Sequence, residues 1–106
     1  MRGYKMKPLE RALTDYVRIK YCRDKFVWWG VIREYIEVVR EREGSCLQKV
    51  CVSKVADAIA IEVFELNEGA EWTQVVDYDV IAEEIIESYE IEVGSPIEFL
   101  NVEGEL

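Results

Sequence analysis

Apolar residues recur along this chain with two different periods, and the switch between them predicts its elements. Pro8 is followed at steps of three and four by Leu9, Ala12, Leu13, Tyr16 and Val17, which predicts an amphipathic helix with proline in its first turn, ending between Cys22 and Lys25. Arg11 with Asp15 and Asp15 with Arg18 add weak pairs on its surface. Val31, Ile32, Tyr35, Val38 and Val39 repeat the helical spacing, although Phe26 to Trp29 has strand chemistry and Gly30 suits a helix interior poorly. Gly44 fits the position just past a helix end, so a second helix is expected from Val27 to Glu43.

Beyond Gly44 and Ser45 the period falls to two. Ile59, Ile61 and Val63 alternate with Ala58, Ala60, Glu62 and Phe64, the pattern of a strand with one buried face. Leu47 to Val55 is expected as its partner strand, although Leu47, Val50, Cys51 and Val55 also fit a helix. Asn67, Glu68 and Gly69 make a turn, and Trp72 to Asp77 reads as a third strand. Asp79 is placed to cap a helix reaching Ile91, with Ile81, Ala82, Ile85, Ile86 and Tyr89 on one face. Gly94, Ser95 and Pro96 end it, and Ile97 to Val102 suggests a last short strand. The expected order is ααβββαβ, an α+β layer fold in which two N-terminal helices and one acidic C-terminal helix cover a small, mostly antiparallel sheet. It forms a single domain over residues 1–106, since that length leaves no room for two independent cores.

Charge changes this picture most. All 13 Lys and Arg lie between Arg2 and Lys54, where seven acids leave a net charge of +6; from Val55 to Leu106 there are 15 acids and no base. Packing of the halves on each other can neutralise only part of this, because 15 acids face six net positive charges. The residual field suits a basic partner, which complementary charge would steer and orient. The chain has no histidine, which excludes Ser–His–Asp and Cys–His nucleophiles and His-containing zinc sites. Cys22, Cys46 and Cys51 form no C-x-x-C pair and are expected as reduced, buried small residues of a cytoplasmic protein. No apolar run is long enough to span a bilayer, and Met1 to Glu10 lacks the apolar block of a secretory signal. Many charges with few Asn and Gln give a thermophile-like balance.

Three constellations are candidates for function. Asp79, Glu83 and Glu87 lie four apart on the acidic helix, with Glu84 beside them and Glu90 a turn on; no lysine is interleaved to offset their repulsion. These five residues are the expected contact with a basic protein partner. Mimicry of nucleic acid is one form of that contact, although one stripe supplies a charge per ~6 Å of helix where duplex DNA carries one per ~1.7 Å. The alternative is nucleic-acid binding by Arg18, Lys20, Arg23 and Lys25 with the aromatics among them, a mixture suited to phosphates and stacking, which the overall charge of −9 disfavours. Third comes a carboxylate-based, metal-dependent hydrolase. Asp77-x-Asp79 opens like a calcium loop, but Ala82 and Ser88 occupy the positions of its glycine and bidentate glutamate. Asp57 and Glu62 have the spacing of a nuclease acid pair, but Phe64 stands where that pair needs a lysine, and a strand would place the two acids on opposite faces.

Trp28 and Trp29 are adjacent and must point to different sides, so one of them is expected at a homodimer interface. The sequence therefore favours a small, non-catalytic interaction or regulatory protein, homodimeric, without cofactor or metal and without a membrane segment, whose acidic C-terminal half engages a basic protein surface.

Overall fold

Local chemistry sets the helix boundaries in the computed structural model, which describes residues 7–40 and 46–100. Helix α1 (Pro8–Tyr21) starts on its proline, and the Lys7 N–H donates to Glu10 Oε1 at 3.3 Å. Helix α2 (Lys25–Tyr35) is capped by Asp24, whose carboxylate accepts from the Phe26 N–H at 3.1 Å. Strand β1 (Glu37–Arg40) follows, then β2 (Cys46–Cys51), which runs straight into α3 (Val52–Leu66). A short 3-10 turn (Glu71–Gln74) connects to α4 (Tyr78–Val93), and β3 (Ile97–Leu100) closes the described chain. Helix α4 ends on Gly94, whose N–H donates to the Glu90 carbonyl at 2.9 Å and whose φ of 71° turns the chain out of the helix.

The sheet has the order β1-β2-β3. β1 pairs with β2 antiparallel, Val38 opposite Gln48, while β2 and β3 run parallel, Val50 opposite Phe99. The core lies mainly between helices. Val55, Ile59 and Val63 of α3 meet Ile81, Ile85 and Ile86 of α4, joined by Val17 of α1, Ile32 of α2 and Val50 of β2, all at most 1 % exposed. Thr14, also buried, accepts the Asp77 N–H on its hydroxyl at 3.0 Å and so ties α1 to the start of α4. Among the described residues no helix is long and apolar enough to cross a membrane.

This architecture overturns the expected ααβββαβ order and its mostly antiparallel sheet. The molecule is mostly helical, and its small sheet includes a parallel pair. The stretch around Ile59, Ile61 and Val63 is the middle of α3. Its buried residues, Val52, Val55, Ala56, Ile59 and Val63, recur at steps of three and four, and this longer helical repeat prevails over a three-residue alternation. Trp72 to Asp77 is not a third strand either: Thr73 and Val76, three apart, are the residues it buries. Of Leu47 to Val55, only the part up to Cys51 is extended. The second helix stops at Tyr35 rather than Glu43, because Ile36 is extended (φ −79°, ψ 131°) and β1 pairs with β2. The cap of α4 is Asp77, accepting from the Val80 N–H at 3.3 Å, and Asp79 lies in the first turn. The Gly44–Ser45 break and the end of the last expected strand lie outside the described residues.

The two readings of α3 differ most at Ile61. A strand would bury it beside Ile59, whereas in the helix Ile59 is 0 % and Ile61 58 % exposed. Ile59→Ala should lower the free energy of urea unfolding by about 2–5 kcal/mol, and Ile61→Ala should change it by less than ~1 kcal/mol. Equal losses from the two substitutions would restore the strand.

Candidate partner-binding surface

Packing of α4 decides what its acids can do. Its apolar face is covered by α1, α2 and α3, and the flanking carboxylates are drawn into internal roles. Glu84 Oε2 lies 3.6 Å from the Arg18 guanidinium, which also binds Asp15 Oδ1 at 3.0 Å. Glu90 Oε2 accepts the Ile97 N–H at 2.7 Å and fixes the path into β3. Glu83 is half-buried, while Asp79 and Glu87 are exposed. The five expected contact residues therefore do not form one free stripe.

The basic, aromatic region is divided in the same way. Arg18 is held by its carboxylates, and Lys20 donates to the Tyr16 hydroxyl at 2.9 Å, a bond that raises the lysine's pKa. Arg23, on the α1–α2 connection, and Lys25, the first residue of α2, are exposed. Trp28 is only 6 % exposed, its indole N–H donating to the Tyr21 carbonyl at 3.1 Å, so it serves the protein's own core rather than an interface. Trp29 is half-buried: its N–H donates to Ser88 Oγ at 2.9 Å, and its ring stands edge-on to Phe26 (4.9 Å) and Tyr89 (6.0 Å).

What the structure does bring together lies along the outer face of α3. Asp57, Ile61 and Phe64 fall within an arc of about 60° on that helix, with Glu65 beside them. Ala60, Ile61, Phe64 and Glu65 form one wall of a cleft of about 280 Å³. Thr73 and Gln74 of the 3-10 turn and Tyr78 form the other. This second wall is held by hydrogen bonds: Tyr78 Oη donates to the Thr73 carbonyl at 2.6 Å and Thr73 Oγ1 to the Ala70 carbonyl at 2.7 Å. Gly69 (φ 75°) fits beneath the Phe64 ring, where an added Cβ would come within 3.3 Å of the ring.

A second cleft, of about 360 Å³, adjoins the first and shares Ala60 and Tyr78 with it. Glu10, Asp57, Asp77 and Asp79 all face it, and among the described residues no Lys or Arg lines either cleft. Among those residues, too, no three Cys, Asp or Glu side chains are grouped to hold a metal ion. Asp57 and Glu62 lie on a helix, about 140° apart. Of the expected contact residues only Asp79 belongs to this site. Ile61 and Phe64 were missed because a strand reading puts them on opposite faces, and Asp57 was considered only as half of a nuclease pair. Helical spacing counted from Asp57 would have grouped them. No family model, characterised protein or solved structure matches this chain.

The side chain of Cys46, the third cysteine, lies outside the described residues. Cys22 and Cys51 are buried, and burial, with Glu84 adding to it, pushes the Cys22 thiol from 9.0 up to about 12. Burial likewise pushes Tyr78 from 10.0 up to about 12. Both groups hold their proton more tightly in the folded chain than in the unfolded one. Their contribution is complete below the unfolded values and is lost as pH rises between about 9 and about 12. Urea midpoints should fall across that range, and Cys22→Val should show a smaller fall from its own neutral-pH baseline. An unchanged alkaline slope in that variant would remove Cys22 from the account.

Proposed function

We propose that this protein is a non-catalytic interaction module whose acidic C-terminal half engages a basic surface on a partner protein. The observation that carries this reading is the cleft faced by Glu10, Asp57, Asp77 and Asp79, on a chain with no base after Lys54. Its contact set shifts from the stripe along α4 to this cleft and the outer face of α3, because Glu84 and Glu90 are committed inside the fold. Opposite charge speeds and orients encounter, and its effect fades within a Debye length of ~8 Å at physiological salt. A concave arrangement of carboxylates keeps a bound cation close to several of them at once.

Self-association belongs to the same proposal, through Phe26 and Val27, which are 73 % and 61 % exposed beside the half-buried Trp29. Sedimentation at micromolar concentration should give the mass of a dimer, and Phe26→Ser should return the monomer; a monomeric parent protein would end this part.

The charge reading is tested with poly-lysine, titrated at low and high salt. Neutralising the cleft in Asp57→Asn/Asp79→Asn should weaken binding several-fold. The same loss of charge outside both clefts, in Glu87→Gln/Glu92→Gln, should have little effect. Equal losses from both pairs would mean that only the overall charge matters and that there is no site. Affinity unchanged between low and high salt would reject the acidic interface altogether.

A further inference from the structure

The apolar cleft lies where a purely electrostatic surface would not need one. Ile61 and Phe64 are 58 % and 40 % exposed, and they stand between Asp57 toward the start of α3 and Glu65 toward its end. We propose that this cleft takes the apolar anchor side chain of a basic protein segment, with Lys or Arg on either side of the anchor reaching Asp57 and Glu65. This rests on the reading that the acidic half engages a basic partner, and it names the chemistry of the segment recognised.

Size, charge and rigidity each support it. A volume of about 280 Å³ lies at the small end of the ~300–1,000 Å³ typical of pockets for drug-sized ligands, so it suits a large aliphatic or aromatic side chain. Eight residues of helix set Asp57 and Glu65 about 12 Å apart. An extended segment covers that distance in about four residues at ~3.3 Å each, so a cation two residues before the anchor and another two after it match the acids. Burying the anchor against Ile61 and Phe64 supplies affinity that exposed ion pairs, worth little individually, do not. The hydrogen-bonded wall of Thr73 and Tyr78 and the Phe64 ring seated over Gly69 form the cleft in advance, which lowers the ordering cost of binding.

The probe is a short fluorescent peptide with Lys and Leu alternating at every second position and Ser between them. One control replaces each Leu by Ser, and the other replaces each Lys by Glu. Fluorescence anisotropy with the full chain should show the Lys/Leu peptide binding at least about tenfold more tightly than the Lys/Ser peptide. Ile61→Ser should bring the two to the same affinity. That residue is largely exposed, so a circular dichroism melt near the parent's is expected, and Phe64→Ala provides a second variant acting on the same wall. Asp57→Lys/Glu65→Lys should reverse the preference toward the Glu/Leu peptide, whereas Ile91→Ser, at an exposed apolar residue of α4 that lines neither cleft, should leave peptide binding unchanged. If the Lys/Leu and Lys/Ser peptides bind equally and Ile61→Ser has no effect, the anchor is overturned while the acidic-interface reading stands. If neither cationic peptide binds at low salt, the underlying reading fails as well. Binding lost in Ile91→Ser but kept in Ile61→Ser overturns the assignment to this cleft.

Discussion

Helix α4 is covered on its apolar face by three other helices, and the burial of Ile81, Ile85 and Ile86 decides where its remaining groups can go. Each such isoleucine contributes about 1.5–3 kcal/mol on leaving water, whereas a half-exposed pair such as Arg18–Glu84 contributes about 1 kcal/mol or less. Packing therefore fixes the helix, and electrostatics adjusts to it. The run of acids on α4, unfavourable in an isolated helix, becomes more tolerable because Glu84 meets Arg18 and Glu90 meets the Ile97 N–H, while Asp77 caps the helix through the Val80 N–H. These links also set topology. Glu90 positions β3, and Thr14 with Arg18 aligns α1 with α4 in the same direction, since Thr14 meets Asp77 and Arg18 meets Glu84.

The same constraint explains the asymmetry of the surface. Arg18, which reaches α4, is already used by Asp15 and Glu84. The acids of α3 and of the 3-10 turn all follow Lys54, the last base of the sequence. Asp57, Glu62 and Glu65 are exposed there, and the turn that brings Thr73 and Tyr78 against α3 makes part of this surface concave. An acidic cleft next to an apolar one is thus a by-product of joining two well-packed helices by a short connection, available for recognition without disturbing the core.

The sequence was most informative where one signal acted alone. Pro8 starts α1, and Gly94 in its left-handed conformation ends α4, because few residues suit those positions. It misled where signals competed. Ile59, Ile61 and Val63 satisfy a period of two, but Val52, Val55, Ala56 and Ile59 satisfy a period of 3.6 over a longer span, and tertiary burial rewards the longer match. Phe26 to Trp29 raises the opposite conflict, strand chemistry within a helix, resolved by the Asp24 cap and by burial of Trp28 and Ile32. Val38 and Val39 fit the spacing of α2, yet the ladder to Gln48 and Leu47 takes them into β1, a non-local pairing that no short window contains. The site followed the fold. Its charge was legible in the absence of any base after Lys54, but its position depended on reading residues 57–65 as a helix.

An exposed apolar residue is by itself ordinary, since about 55–60 % of a folded protein's surface is apolar. Leu9, Ile19 and Ile91 are more exposed than Ile61, and none of them lines the apolar cleft. What distinguishes Ile61 and Phe64 is the ordered wall opposite them and the acids around them. Glycine at position 69 lets the Phe64 ring lie close to the backbone, and the hydroxyls of Thr73 and Tyr78 bond backbone carbonyls rather than each other's side chains, which fixes the wall without filling the space it encloses. An apolar anchor alone could bind there, but desolvating the neighbouring carboxylates without offering them a cation would oppose it. A cation alone would leave the apolar surface wet. On the proposed reading a ligand that carries both satisfies the cleft, and selectivity comes from the juxtaposition rather than from either half.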